Sequence, residues 1–368
     1  MYPAMFSTFV SSLEHIFPVP SYLRMNAMGF DLSQHSIKFI ELINEDGNIV
    51  VGKFGKRKLK EGIITAGSIV DREGFVANVK KIQKQHGCKF VRLSLPEEHS
   101  YLFRTQIPSG TPAGQVRDII EFQLKDNVPL APSEVVFDYS LVASTEAHSP
   151  LYADVSVYPI GLVEQYIDAF VEADMCPISL EVEGQAIARS LIKRGDKQGY
   201  MILDLGESEA GLYVVENEQL VFSATLDVGG NLFTEAIETT LHITHEEAEN
   251  LKSAGTRMKG LSNKEILEAL ESPLSILAEE ITKHILYWNG VDTKGEKKHK
   301  DITSVILSGG NASIPGIANF LSRRLSMSVS KGNPWQNISA TSTYIPPIDA
   351  REAIEYATAI GLSLRSFD

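Results

Sequence analysis

Phe30-Asp-Leu-Ser-Gln-His-Ser-Ile-Lys-Phe-Ile-Glu-Leu-Ile-Asn-Glu-Asp-Gly-Asn-Ile-Val50 and Leu203-Asp-Leu-Gly-Glu-Ser-Glu-Ala-Gly-Leu-Tyr-Val-Val-Glu-Asn-Glu-Gln-Leu-Val221 are written to one plan. Each opens on an apolar strand that ends in Asp-Leu, at Asp31 and Asp204. A tight turn of small and polar residues follows, then a second apolar strand, a polar turn (46–48; 217–219) and a third strand. Short apolar strands punctuated by such residues are hairpin signals. Two copies of a carboxylate-bearing hairpin predict two similar halves facing each other across a cleft. That arrangement suits a nucleotide gripped by its phosphates from both sides.

The bulk properties agree with a globular chain of several parts. At 368 residues it exceeds one ordinary core, so two to four domains or subdomains are expected. The composition, 43% hydrophobic and 22% charged, is neither disordered nor membranous. A formal charge of −13 argues against nucleic acid, whose phosphates require a basic face. The basic cluster at 294–300 is interrupted by Glu296 and reads as a solvated loop. Cys88 and Cys176 form no disulfide or metal pattern, which fits a reducing cytoplasm. No stretch approaches the roughly 18 apolar residues of a spanning helix. Phe6, Phe9, Val10, Leu13, Ile16 and Phe17 fall at helical spacing in an N-terminal extension, 1–27. That extension lacks the basic start of a signal peptide and the Lys or Arg of a membrane-surface helix, so it reads as a docking segment.

Between the hairpins, a helix over 71–86 stops at Gly87, and a strand over 90–95 closes at Pro96. Residues 97–160 then read as an insertion in the order strand (101–107), helix (112–127), strand (135–142), strand (154–158). Thr111 is the expected N-cap of that helix, with Pro112 at its first position. The first half is expected to comprise 28–96 and 161–197, and the second 198–368, with a small helical subdomain near 240–300. In the second half Thr244 and Glu247 predict a capping box. A buried strand over 302–307 runs straight into Ser308-Gly309-Gly310-Asn311.

Several of these residues carry chemistry. Asp31 and Asp204, at strand ends beside turns with exposed N–H groups, can hold Mg²⁺ through water while the turn amides cradle phosphate. Ser33, Ser36, Gly206 and Ser208 are small enough to admit a phosphate, and Lys38 offers a compensating charge. Gly229-Gly230 before a helix predicts an N-terminus open to an anion. Gly309 and Gly310, with Asn311, offer bare backbone against which a flat ring can slide. Glu249 and Lys252, three apart on a helix, either contact a nucleoside or form a solvated ion pair. His242, His245, Glu246 and Glu249 lack an H-E-x-x-H pattern, so zinc is not expected. No P-loop and no G-x-S-x-G occur, and no catalytic residue can be assigned.

Taken in order, Asp31, Asp204, Gly229-Gly230 and Ser308-Gly309-Gly310 resemble the phosphate-1, phosphate-2 and adenosine motifs of the actin, Hsp70 and sugar-kinase superfamily. Residues 28–42 (Met-Gly-Phe-Asp-Leu-Ser-Gln-His-Ser-Ile-Lys-Phe-Ile-Glu-Leu), 121–124, 128–129, 137–139, 227–234 and 246–252 narrow the likeness to the PilM family. These are actin-like proteins of the type IV pilus inner-membrane platform, related to FtsA. The resemblance covers nearly all of 28–365.

It implies an α/β, actin-like (ribonuclease H-like) fold of duplicated domains around a nucleotide cleft, with an SHS2-type strand-helix-strand-strand insertion. It further implies ATP and Mg²⁺ as cofactors and a cytoplasmic position at the inner membrane. The implied partner is the N-terminal peptide of a PilN-like bitopic protein, alongside other platform proteins, with room for a homo-oligomer. The chain's end soon after residue 365, without FtsA's C-terminal amphipathic helix, is expected to favour PilM over an FtsA-like filament protein. A small-molecule kinase is the third reading. Ser33 stands where many relatives have Gly, and Ser208 where Thr is common. Neither Glu183 nor Gln185 can be fixed as a water-positioning group, so hydrolysis is expected to be slow at most.

Overall fold

A computed structural model of the chain describes residues 26–45, 47–108, 110–142, 151–254, 263–290, 300–338 and 344–367. The amphipathic pattern of residues 6–17 lies outside these, as do Asp46 and residues 294–299 of the basic cluster.

Two five-stranded sheets share one topology. In the first, β1 (Met28–Leu32), β2 (Ser36–Glu45) and β3 (Asn48–Lys58) form an antiparallel meander. A hairpin of two-residue strands, β4 (Ile64–Thr65) and β5 (Ser68–Ile69), leads to helix α1 (Arg72–His86) and to β6 (Phe90–Leu95), which joins β1 in parallel. In the second, β11 (Gly199–Leu205), β12 (Ala210–Glu216) and β13 (Gln219–Leu226) repeat the meander, and β14 (Ile302–Ser308) joins β11 in parallel. The outer parallel strands are β10 (Cys176–Val182) and β15 (Ser328–Lys331), giving β10-β6-β1-β2-β3 and β15-β14-β11-β12-β13. The duplicated motif is therefore a duplicated sheet. Asp31 and Asp204 occupy the same place in each, the next-to-last residue of the central strand.

The insertion folds as its pattern predicts: β7 (Tyr101–Ile107), α2 (Ala113–Asn127), β8 (Val135–Val142) and β9 (Leu151–Pro159) form a three-stranded antiparallel sheet under one helix. Ile107, Val116, Ile120, Leu124, Val155 and Val157 make its separate core. One detail differs. Pro112, not Thr111, is the residue before the first helical turn, with ψ of 141°, and Thr111 turns its hydroxyl back to the Pro108 carbonyl. A Pro in extended geometry starts a helix by ending the strand-like approach, without a side-chain cap.

From β9 the chain runs through α3 (Ile160–Glu172) and β10 into α4 (Glu183–Leu191). The second half adds α5 (Gly230–Leu241), α6 (His245–Ala254), α7 (Asn263–Ala269), α8 (Glu271–Asn289), α9 (Ile317–Leu325) and α10 (Ala357–Leu364). The Thr244–Glu247 capping box is complete: Thr244 N–H donates to Glu247 Oε2 at 2.8 Å and Glu247 N–H to Thr244 Oγ1 at 3.3 Å.

The last helix corrects the division read from sequence, which placed everything after 198 in the second half. α10 packs on β1, β2 and β6 of the first sheet and against α4. Bare backbone makes this possible. A Cβ on Gly29 would lie 2.2 Å from the Ala359 oxygen, and one on Gly361 would lie 1.7 Å from that of Ala186. On its other side α4 meets the second sheet, where the Tyr213 ring fills the space above Gly184, 2.3 Å from the position a Cβ would take.

Candidate nucleotide cleft

Between the sheets lies a cavity of about 550 Å³ that both carboxylate-bearing hairpins line. Asp31, Ser33, Ser36 and Lys38 come from the first sheet. Asp204, Gly206 and Ser208 come from the second, and Gly309, Gly310 and Asn311 from the turn after β14. Glu249 and Lys252 reach the wall from α6.

Strand register explains the asymmetry between the two hairpins. Lys38 stands opposite Asp31 on β2, whereas Gly211 stands opposite Asp204 on β12. Only the first carboxylate thus has an ammonium in register. Burial alone would pull that ammonium's pKa down, but the charge and hydrogen bond of Asp31, helped by Asp204 and Glu355, raise it above the usual lysine range. Asp204, in register with Ser308 on β14, has its pKa raised, first by burial and then by Asp31, while the nearby Ser308 hydroxyl and the Lys38 charge oppose the rise.

The two turns are held from behind. In the first, Ser33 N–H and Oγ both donate to the Ser36 carbonyl. In the second, Asn311 Nδ2 donates to the carbonyls of Gly206 at 2.6 Å and Leu205 at 3.2 Å. Gly309, with φ of 82°, brings the β14 turn so near that a Cβ there would sit 2.6 Å from the Leu205 oxygen.

Gly229 and Gly230 do not line the cavity, contrary to the sequence expectation. The Gly230 N–H donates to the Gly206 carbonyl at 3.0 Å and the Asn231 N–H to that of Glu207 at 2.7 Å. These two amides therefore brace the second turn. Glu249 and Lys252 are an ion pair, but not a solvated one. Lys252 is 6% exposed, and its Nζ donates to Glu249 Oε1 at 2.6 Å, Thr234 Oγ1 at 2.7 Å and the Gly230 carbonyl at 3.0 Å. That ammonium ties α6 to the start of α5.

Sequence reasoning left Glu183 and Gln185 undecided. Gln185 is spent on the β12–β13 turn, donating to the Glu218 carbonyl and accepting from Leu220 N–H. Glu183, at the start of α4, faces the cavity and accepts from Thr358 Oγ1 at 3.3 Å. Its carboxyl is pushed well above the usual range by burial, then by Asp31, Asp204 and Glu97. Glu97, also on the wall, accepts from Thr225 Oγ1 at 3.0 Å and is raised to about 8 by burial, with Glu98 and Asp204 adding to it. No local pattern flags either residue, since each is brought in by a separate element.

This donor set fits a divalent cation with a polyphosphate. Buried carboxylates whose protonated forms are favoured by burial and mutual repulsion gain most from an added cation. Among the described residues no group of three or more His, Cys, Asp or Glu side chains is placed to grip an ion directly. Among the same residues no helix is long and apolar enough to cross a membrane.

Comparison with known proteins follows the same line. A family model described as type IV pilus assembly protein PilM matches residues 29–367. The cell division protein FtsA of Streptococcus pneumoniae is 28% identical over 145 residues, 36% of this chain. That match spans about a third (32%) of the relative's length. A solved structure described as the PilM-PilN type IV pilus biogenesis complex superposes with a TM-score of 0.75 at 19% identity, covering 94% of this chain and 99% of its own. MreB5 of Spiroplasma citri bound to ADP superposes at 0.50 with 13% identity, over 92% of this chain and 94% of its own. The fold is actin-like.

Proposed function

This chain belongs to the type IV pilus assembly protein PilM family, and from that premise we propose that it is an ATP-binding adaptor at the cytoplasmic face of the inner-membrane platform. The observation that carries the reading is the convergence of Asp31 and Asp204, from matching positions of two like sheets, on one cavity. In it Mg-ATP would be held with its phosphates between residues 31–38 and 204–208 and its nucleoside toward Gly309, Gly310 and Asn311. Mg²⁺ supplies charge neutralisation of the phosphates when bound. Clamping of the two halves by the nucleotide would bias the conformation offered to partners. The likeness to a PilM-PilN complex supports a PilN-like bitopic partner, bound through its cytoplasmic N-terminal peptide.

Hydrolysis is slow in this reading. Glu183 is the carboxyl best placed to orient a water, but burial and the neighbouring Asp31 and Asp204 charges favour its protonated form, and a general base must be ionised to act.

Calorimetry with Mg-ATP on the wild type, Asp31→Ala and Asp204→Ala tests the cleft; affinity unchanged in both variants would sink it. A peptide pull-down with cytoplasmic N-termini of bitopic membrane proteins tests the adaptor role. The FtsA match favours a second reading, a membrane-associated filament. ATP-dependent pelleting of the full chain would support that one instead.

A further inference from the structure

The two phosphate turns touch each other. His35 Nε2 lies 2.8 Å from Ser208 Oγ, across the cleft and 173 positions away in the chain. His35 Nδ1 lies 3.8 Å from Glu207 Oε1 in the same second turn. All three residues line the cavity.

Each side of this contact is anchored to its own half. The His35 carbonyl accepts from Leu59 N–H at 2.8 Å, beside the Ser33–Ser36 turn. Behind Ser208 packs Gly229, where a Cβ would lie 2.3 Å from the Ser208 carbonyl carbon. The His35–Ser208 bond therefore cannot persist if the turns separate. It is a joint between the halves, not a bond within one loop.

We propose that His35 and Ser208 form a latch over the phosphate channel, which the terminal phosphate of a nucleoside triphosphate displaces and replaces. His35 is then the residue by which this cleft separates triphosphate from diphosphate. The inference rests on the nucleotide reading above and extends it to a residue that carries the discrimination. The chemistry follows from the two groups. Released from one another, the imidazole N–H and the serine hydroxyl each donate to an anionic oxygen, and such charge-assisted bonds are stronger than the neutral one they replace. A diphosphate, one phosphate shorter, leaves the latch closed. Selectivity then comes from a difference in contacts between two ligands, and it is lost when the donors are removed.

The test is titration of the full chain, with Mg²⁺, by ADP and by the non-hydrolysable triphosphate AMP-PNP. The wild type should bind AMP-PNP the more tightly. His35→Ala should shrink that preference roughly 10-fold while moving ADP affinity by less than about 3-fold. Ser208→Ala should act in the same direction, and His35→Asn, which keeps a donor, should recover part of the preference. In ¹⁵N-imidazole spectra the His35 resonance should move with AMP-PNP and stay with ADP. Undiminished preference in His35→Ala, or equal affinity of the wild type for both nucleotides, overturns the latch and leaves the nucleotide site standing. Failure of the wild type to bind either nucleotide overturns the site itself and the latch with it.

Discussion

Lys38 Nζ sits 2.8 Å from Asp31 Oδ2, each on its own strand of one register pair, with side chains 17% and 5% exposed. Removing one partner of such a pair leaves a charge buried alone, which costs about 3–5 kcal/mol. Lys38→Met should therefore lower stability by about 3 kcal/mol in urea denaturation. The double variant Lys38→Met/Asp31→Asn should recover most of that loss. A double variant as unstable as the single one would show that Lys38 supports the fold by some other route.

Glu97 should make stability depend on pH. Its carboxyl is held at about 8 in the folded chain by burial, against an ordinary 4.5. Between those values the native state keeps a proton that the unfolded chain has released, so stability falls as pH rises through the window, by up to about 1.4 kcal/mol per pH unit. Burial raises Glu183 and Glu209 in the same direction, so only the difference between variants isolates Glu97. Glu97→Gln should match the wild type near pH 5 and exceed it at pH 8. Parallel denaturation profiles across that range would refute this.

Arg104 joins the insertion to the second half. Its guanidinium grips Asp154 of β9 through two bonds, at 2.6 and 3.0 Å, and reaches Glu216 of β12 at 3.4 Å. Glu216 is 3% exposed and also accepts from Lys300 N–H. A double-mutant cycle on Arg104→Met and Glu216→Gln should give a coupling of about 1 kcal/mol. Additive effects would mean that the insertion and the second sheet are energetically separate.

Much of this was legible in the chain because it is local. Asp31 and Asp204 declare themselves by ending apolar strands, and the Thr244–Glu247 box by its spacing of three. Two of the cleft's other acids, Glu97 and Glu183, are not local at all. Glu97 follows β6, Glu183 opens α4, and Thr358, which bonds Glu183, lies 175 positions beyond it. No periodicity connects such residues. The last helix was misplaced for a related reason: residues 357–364 are all buried, so no polar stripe tells which neighbour each face meets. At Gly230 the amide that the sequence offered to an anion is already engaged by the Gly206 carbonyl, which only the fold could reveal.

The seat of α4 between Gly361 and Tyr213 joins the two halves. Against α10 it meets backbone with backbone, with no side chain between Gly361 and the Ala186 carbonyl to bend or reorient. Against the second sheet it meets the flat ring of Tyr213 over Gly184. Gln185 of the same helix also holds the β12–β13 turn, accepting from Leu220 N–H at 2.8 Å. α4 is thus a keystone shared by both halves, and a side chain added at either glycine would wedge them apart.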